Sequence, residues 1–342
     1  MISPSHSLPT TGPAPGRSAP PRVIRRWFAA ALFTLLVAMV TIPDMLFGLD
    51  RHSPFTQLVA FRPLILAGTI AVLAVLGLLL IVERRVLPFA AGVLAVVITG
   101  SCVVLPRMIV DNPAPGPGRS LTVLAFNVFD GDTDVEQLAR LIELEHPTLV
   151  SLPEAGDAYR SRLAPLVEPL GYTLHTSTGP GTADVAGVTA LVRDDLDDVA
   201  VTIDESTPFA SLVITGGGLG ELRFVAYHAI APVPGTVPQW RSDLARLGTW
   251  CTGPTPAIIA GDLNATLDHS VLRAVMVGCV DAAEQRGRGL LPTWGPTPRT
   301  QLLGPQIDHV LATEPISTET FDVRHLAGSD HRAVLTRLRL PG

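Results

Sequence analysis

Three apolar stretches in the first third of the chain constrain it more than any other feature. Trp27 to Leu49 carries one acid, Asp44, near its far end, while Pro63 to Val82 and Val86 to Leu105 carry no charge. Each is close to the ~20 residues that a helix needs to cross a hydrocarbon core. One such stretch alone can be a buried core helix. Three in succession, with short charged connectors, read as three transmembrane helices, a membrane anchor over 27–105. The first has the outline of a signal peptide, but no small-residue cleavage site follows it, and the later two would hold the chain in a bilayer regardless. This front end explains a composition of 47% hydrophobic and 16% charged residues, too apolar for one ordinary soluble domain.

The remaining segments follow from composition. Residues 1–26, Pro/Ser/Thr-rich as far as Pro21, read as a disordered tail. Arg17, Arg22, Arg25 and Arg26 precede the first span and Arg84 and Arg85 separate the second from the third. In the other loop Arg51 and Arg62 are offset by Asp50. Basic residues collect on the cytoplasmic side, so the N-terminus is expected in the cytoplasm and everything after residue 106 outside a bacterial-type plasma membrane. Residues 106–120, "PRMIVDNPAPGPGRS", read as an extended Pro/Gly linker, and 121–342 as a soluble domain. From Arg119 onward the chain holds 16 Arg against 27 Asp and Glu, a formal charge of −11. Proteins that grip phosphate backbones non-specifically are basic, so no strong duplex nucleic-acid surface is expected.

Within 121–342, strand-like runs outnumber helical ones. "LTVLAFNV" alternates into a strand ending at Asn127. Thr133-Asp134-Val135-Glu136 has the capping-box pattern and opens a helix that stops at His146-Pro147. "TLVSLPEA" is an apolar strand with Glu154 just past its end. A helix around 157–168, "YTLHT", runs at 188–193, 199–204 and 210–215, and "LRFVAYHA" follow. A helix from Pro238 to about Thr249 leads into "AIIAGDLNAT", and a helix near 268–277 into "QIDHVLAT", "FDVRHL" and "AVLTRLRL". Hairpins mixed with strand–helix–strand units predict an α/β sandwich: two packed mixed sheets flanked by helices, preceded by the three transmembrane helices.

The strand ends present Asn127, Glu154, His228, Asp262 with Asn264, Asp308, and Asp330 with His331. Side chains at i and i+2 of an extended segment project to one side, so Asp262 and Asn264 are expected together at a sheet mouth. Taken singly, each of these residues has an ordinary reading as a turn, cap or solvated group. Together and in order, "AFNV", "LPEA", "YHA", "AGDLNA", "QIDHV" and "GSDHRAV" resemble the endonuclease/exonuclease/phosphatase superfamily of metal-dependent phosphoesterases, over about 121–340, and the anchored front is similar to a bacterial subgroup of it.

The resemblance implies an enzyme that hydrolyses a phosphodiester or phosphomonoester by in-line attack of an activated water. It implies Mg²⁺, with Mn²⁺ as a substitute, held by Glu154, by Asn127 through its amide oxygen or a water, and by Asp330. It implies Asp262 orienting or deprotonating the water, and Asn264 and His228 contacting the phosphate. It implies His331 stabilising developing charge or transferring a proton, with Asp308 fixing its imidazole. A lipid or envelope phosphodiester and a nucleic acid both remain open as substrates, and a non-catalytic membrane module retaining the fold is the competing reading. Two features depart from the family pattern: Pro153 precedes Glu154, and no second acid directly follows Asn127, although Asp130 and Asp132 are near.

Outside this set, His309 reads as a sheet residue, and His146, His175, His269 and His325 as surface or turn residues. Trp294, in "LPTWGPTP", reads either as packing or as an aromatic wall beside the substrate. Cys102 reads as a packed residue of the third span. Cys251 and Cys279, each ending a helix beside "AIIAGDLN", form either a disulfide or two separate buried thiols.

Overall fold

A computed structural model describes residues 22–111, 118–297 and 299–341. Of the tail read as disordered over 1–26, residues 1–21 lie outside the described residues, as do the central linker residues 112–117, whereas residues 22–26 are helical and open the first helix. The N-terminal part comprises α1 (Arg22–Thr41), α2 (Phe55–Val59), α3 (Arg62–Val82) and α4 (Leu87–Val104). Three helical segments, 23–41, 62–82 and 84–108, are long and apolar enough to span a membrane. They pack through small contacts. A Cβ on Gly92 would lie 1.9 Å from the Thr34 hydroxyl, so the approach of α4 to α1 requires glycine, and Thr41 Oγ1 lies 3.0 Å from Thr69 Oγ1. Cys102 is exposed on α4 rather than packed, because it lies on the outward face of the bundle. The apolar run read to Leu49 leaves the helix at Thr41, where Pro43 opens a 3₁₀ turn containing Asp44.

The strands are β1 (Ser120–Ala125), β2 (Leu149–Pro153), β3 (Tyr172–Thr176), β4 (Val188–Arg193), β5 (Val199–Asp204), β6 (Ser211–Gly216), β7 (Arg223–His228), β8 (Ala257–Asp262), β9 (Cys279–Asp281), β10 (Asp308–Thr313), β11 (Ser317–Arg324) and β12 (Ala333–Arg339). They form two sheets of six strands, ordered β11-β12-β1-β2-β4-β3 and β5-β6-β7-β8-β10-β9. Each sheet has one parallel pair at its centre, β1 with β2 and β7 with β8, and antiparallel neighbours. A parallel pair needs a crossover. These are supplied by α5 (Val135–Glu145) and by α7 (Val237–Cys251), while α6 (Asp157–Val167), α8 (Ser270–Val275) and α9 (Ala282–Gln285) complete the domain. The capping box expected from Thr133 and Glu136 does not form: the Thr133 hydroxyl donates to the Val128 carbonyl at 3.1 Å, and Asp134 is the N-cap, its carboxylate accepting from Glu136 N at 2.8 Å, while α5 stops at His146 in left-handed geometry as expected.

Alternation along the strands sorts the core into three layers. Leu121, Val123 and Ala125 of β1 face Phe224 and Ala226 of β7 and Ile258 and Ala260 of β8 between the sheets. The opposite faces carry Leu124, Val150 and Leu191 under α5 and α6, and Val225, Tyr227 and Ile259 under α7 and α8. Helices therefore cover the outer face of both sheets, as the pattern predicted. Cys251 and Cys279 are joined as a disulfide with a Cα separation of 5.1 Å. Cys279 starts β9 rather than ending a helix, because the chain turns at Gly278 in left-handed geometry, φ 88°.

Candidate active site

Sheet register assembles the polar residues at one rim. Across β7, β8 and β10, His228 pairs with Asp262 and Asp262 with Asp308, so three functional side chains occupy one row. In the other sheet β12 runs antiparallel to β1, which brings His331, just before β12, to the end of β1 beside Asn127, with Glu154 past the end of the parallel β2. Gly261 permits the crowding under this row: a Cβ there would lie 1.9 Å from the Tyr227 carbonyl oxygen, and its φ is +147°. The sheets are tied beneath the site by Ser151 Oγ, which donates to the Ala260 carbonyl at 2.8 Å.

Asn127 Nδ2 donates to Glu154 Oε1 at 2.9 Å and to Asp262 Oδ2 at 3.0 Å. Its amide oxygen accepts from Phe129 N at 2.9 Å, so the amide NH₂, not the oxygen, faces the two carboxylates. Glu154 is held in left-handed geometry, φ 59°, and its second oxygen accepts from Asp130 N at 2.7 Å. Asp262 Oδ1 accepts from Asn264 N at 2.7 Å, a tight turn that swings the Asn264 amide beside the same carboxylate, at 3.1 Å from Oδ2. His331 Nδ1 lies 2.9 Å from Asp308 Oδ2, and its Nε2 lies 3.7 Å from Asp262 and 3.8 Å from Asp330. His228 Nε2 lies 3.8 Å from Asp262 and 3.9 Å from Glu154, and its ring stacks on Phe209 with centroids 4.4 Å apart. Trp294 lines the cleft and donates from Nε1 to Asp330 Oδ2 at 2.8 Å.

The two histidines differ electrostatically. Burial pushes His228 down to about 3, so it is neutral near pH 7. Burial also works against the His331 imidazolium, but Asp308, Asp262 and Asp330 outweigh it and hold the ring protonated. Burial raises the Asp262 carboxyl, with His331 opposing.

Every residue expected at the site is brought together here, in and directly behind a cleft of about 390 Å³. Its acids are Glu154, Asp262 and Asp330, with Asp308 behind His331, and no Arg is among its described lining residues. Asp308 Oδ1 and Asp330 Oδ1 are buried without a hydrogen-bond partner. Asp262, Asp308 and His331 offer ligand atoms within 4.8 Å of one another. Four carboxylates against one imidazolium, with two acceptor oxygens unsatisfied, fit a hard divalent cation, which prefers carboxylate and water ligands.

Comparison with known proteins agrees. The sequence profile of the endonuclease/exonuclease/phosphatase family matches residues 124–331. The chain belongs to that family. No curated protein matches the sequence. Among solved structures, a humanised D. rerio TDP2 shares 19% identity at TM-score 0.53, over 65% of this chain and 99% of that one. An endonuclease/exonuclease/phosphatase protein from Beutenbergia cavernae shares 19% at 0.51, over 66% and 72%. The AP endonuclease LMAP from Leishmania major shares 16% at 0.52, over 65% and 89%. At such identities the likeness is one of fold.

Of the residues outside the motif set, His309 is a buried sheet residue as expected, with Nδ1 2.8 Å from Asp281 and Nε2 2.9 Å from the Ala265 carbonyl. His146 and His325 are exposed and His175 is half-buried. His269 is not the surface or turn residue expected: it is buried, with Nε2 3.0 Å from the Thr56 carbonyl of α2, because the loop between α1 and α3 covers it. Sequence reasoning missed Phe209, which fixes the His228 ring, and Ser329, whose hydroxyl donates to the Asn127 carbonyl at 2.8 Å and accepts from His331 N at 2.9 Å. Ser329 was within reach, lying inside the quoted "GSDHRAV"; Phe209, in a loop, gives no local signal.

Proposed function

We propose that the protein is a membrane-anchored, divalent-metal-dependent phosphoric ester hydrolase whose catalytic domain faces away from the cytoplasm. The supporting observation is the uncompensated acid cluster. A phosphate ester carries negative charge, and a cleft lined by three carboxylates, with a fourth behind His331 and no Arg among its described lining residues, would repel it. Mg²⁺, or Mn²⁺ in its place, bound at Glu154 and Asp330 beside Asn127, would supply the neutralising charge and polarise the ester.

The chain's own groups then divide the work. Asp262, buried and with its carboxyl raised toward neutrality, orients an attacking water and accepts its proton. His331, held protonated and fixed through Nδ1 by Asp308, places positive charge where negative charge develops on the phosphoryl oxygens. Asn264, whose amide NH₂ donates to Asp262 Oδ2 and to the Ala229 carbonyl at 3.0 Å, would exchange one of these bonds for a phosphoryl oxygen. His228 contacts the phosphate as a neutral ring, which keeps one nitrogen available as a donor. Trp294 walls the cleft and orients Asp330. The Cys251–Cys279 disulfide supports the outward placement, since disulfides persist outside the reducing cytoplasm, as does the Arg distribution around the spans.

The test is turnover of bis-p-nitrophenyl phosphate and p-nitrophenyl phosphate by the full-length protein in detergent with Mg²⁺ or Mn²⁺. Glu154→Ala and His331→Ala should each lower turnover at least ~10²-fold, the lower range for losing an acid–base group. Wild-type rates in both variants would remove the mechanism.

A further inference from the structure

The loop between α1 and α3 is built into the catalytic domain. Arg62, the first residue of α3, is fully buried and pairs with Asp44 and, at 3.0 Å, with Asp268. The second oxygen of Asp268 takes Arg107 at 2.9 Å, and that of Asp44 takes Arg273 at 2.6 Å. Asp50 accepts from Ser270 N at 2.7 Å, and Gln57 donates to the Pro232 carbonyl. Arg62, Asp50 and Gln57 thus bind two segments that also wall the cleft, 262–270 and 229–236, and Asp44 holds Arg273 just beyond the first. Residues 106–111, read as free linker, join the same seat: the Arg107 carbonyl accepts from Gly289 N at 3.2 Å, and Val110 pairs with Arg286.

These contacts fix the cleft close to the end of a span. Asn264 is four residues from Asp268, so their Cα atoms are at most about 14 Å apart. Val233, which lines the cleft and is 51% exposed, directly follows Pro232. A third wall reaches the anchor as well. Leu302 and Leu303, 69% and 60% exposed, border a pocket shared with Phe61 and Leu64 at the start of α3, and they belong to the same loop as Trp294. Two exposed leucines beside the first turn of a span lie where the outer interface of a bilayer begins.

We infer that this seat holds the cleft against the outer leaflet, and that the substrate is a phosphate ester borne by a lipid of that leaflet, entering past Leu302 and Leu303. The inference rests on the membrane-anchored hydrolase proposed above. A headgroup layer about 5–7 Å deep brings a lipid phosphate within reach of a cleft so placed. The apolar lip at Val233 and Phe129 suits an acyl-bearing ligand. The acidic domain, with no Arg among the described residues lining the cleft, lacks the grip a nucleic-acid backbone needs.

The experiment uses the full-length protein reconstituted with Mg²⁺ into phosphatidylcholine vesicles. Phosphatidic acid and phosphatidylglycerol are supplied either in the same vesicles or in separate ones, alongside bis-p-nitrophenyl phosphate and a single-stranded oligonucleotide. Confinement to one surface raises effective concentration, so one of the two lipids should be cleaved at least about 10-fold faster in the same vesicle than in a separate one, and faster than the oligonucleotide. Equal rates from the two kinds of vesicle, preference for the oligonucleotide, or lipid left intact while the soluble ester is cleaved would each overturn the inference and leave the hydrolase standing. If no ester is cleaved, the hydrolase reading fails, and an activity-independent measurement decides the seating. A nitroxide on Leu302→Cys, in a Cys102→Ser background, should report interfacial depth by oxygen accessibility. Full water exposure at that position would refute the seating.

Discussion

Replacing Arg62 by Met tests whether the N-terminal helices and the α/β sandwich are one unit. Arg62 is fully buried between Asp44 and Asp268, whose side chains are each 2% exposed. Removing one partner of a buried ion pair costs roughly 3–5 kcal/mol, because a charge is left uncompensated. Here the low end applies, since Asp44 keeps Arg273 and Asp268 keeps Arg107. A domain of this size loses about 2–4 °C of Tm per kcal/mol, so about 3 kcal/mol corresponds to a fall of roughly 6–12 °C in detergent, read by intrinsic tryptophan fluorescence. Trp240, which donates to the Asn264 carbonyl at 3.0 Å and packs against His269 beneath the seat, is the natural reporter. A fragment beginning at Arg119 lacks Asp44, Arg62 and Arg107 together and should melt lower than Arg62→Met. An unchanged Tm in both proteins would refute a seat built from these charges.

Three further outcomes follow from the same structure. Reduction, or Cys251→Ser with Cys279→Ser, should destabilise the domain by about 3–4 kcal/mol in the loop-entropy model; equal denaturant midpoints with and without reductant would contradict this. Reporter fusions active only outside the cytoplasm should be active after Gly118 and silent after Arg85, and the opposite pattern would overturn the proposed topology. Phe209→Ala removes the ring stacked on His228 and should lower soluble-ester turnover by several-fold while leaving the Mn²⁺ affinity measured by electron paramagnetic resonance intact; loss of Mn²⁺ binding would show that Phe209 supports the whole site.

What was legible in the sequence was local. Asn127, Glu154, His228 and Asp262 each close an apolar strand, and two strands ending side by side place such residues together without further information. The crossing helices have the same local origin, although the cap of α5 falls one residue later than the Thr133 box predicted. The short elements α9 and β9 were not legible, because three or four residues carry no periodicity. Nor was the role of the loop between α1 and α3. Asp44 and Arg62 look like charges flanking a span, and His269 like a turn residue, until the fold brings residues some 200 positions apart into contact. Arg107, inside the stretch read as an extended linker, pairs with Asp268 for the same reason. Phe209 was invisible because a stacking partner on a loop is selected by tertiary proximity alone.

On the proposed reading, an acid cluster with no arginine among the described residues of the cleft lining handles phosphate esters only with a divalent metal and through Asp262. One measurement addresses it: bis-p-nitrophenyl phosphate turnover by the full-length protein and by Asp262→Asn, each with Mg²⁺ and with excess chelator. Turnover should appear only for the wild-type protein with metal, with Asp262→Asn at least ~10²-fold slower. Full activity in chelator, or in Asp262→Asn with metal, would contradict the claim.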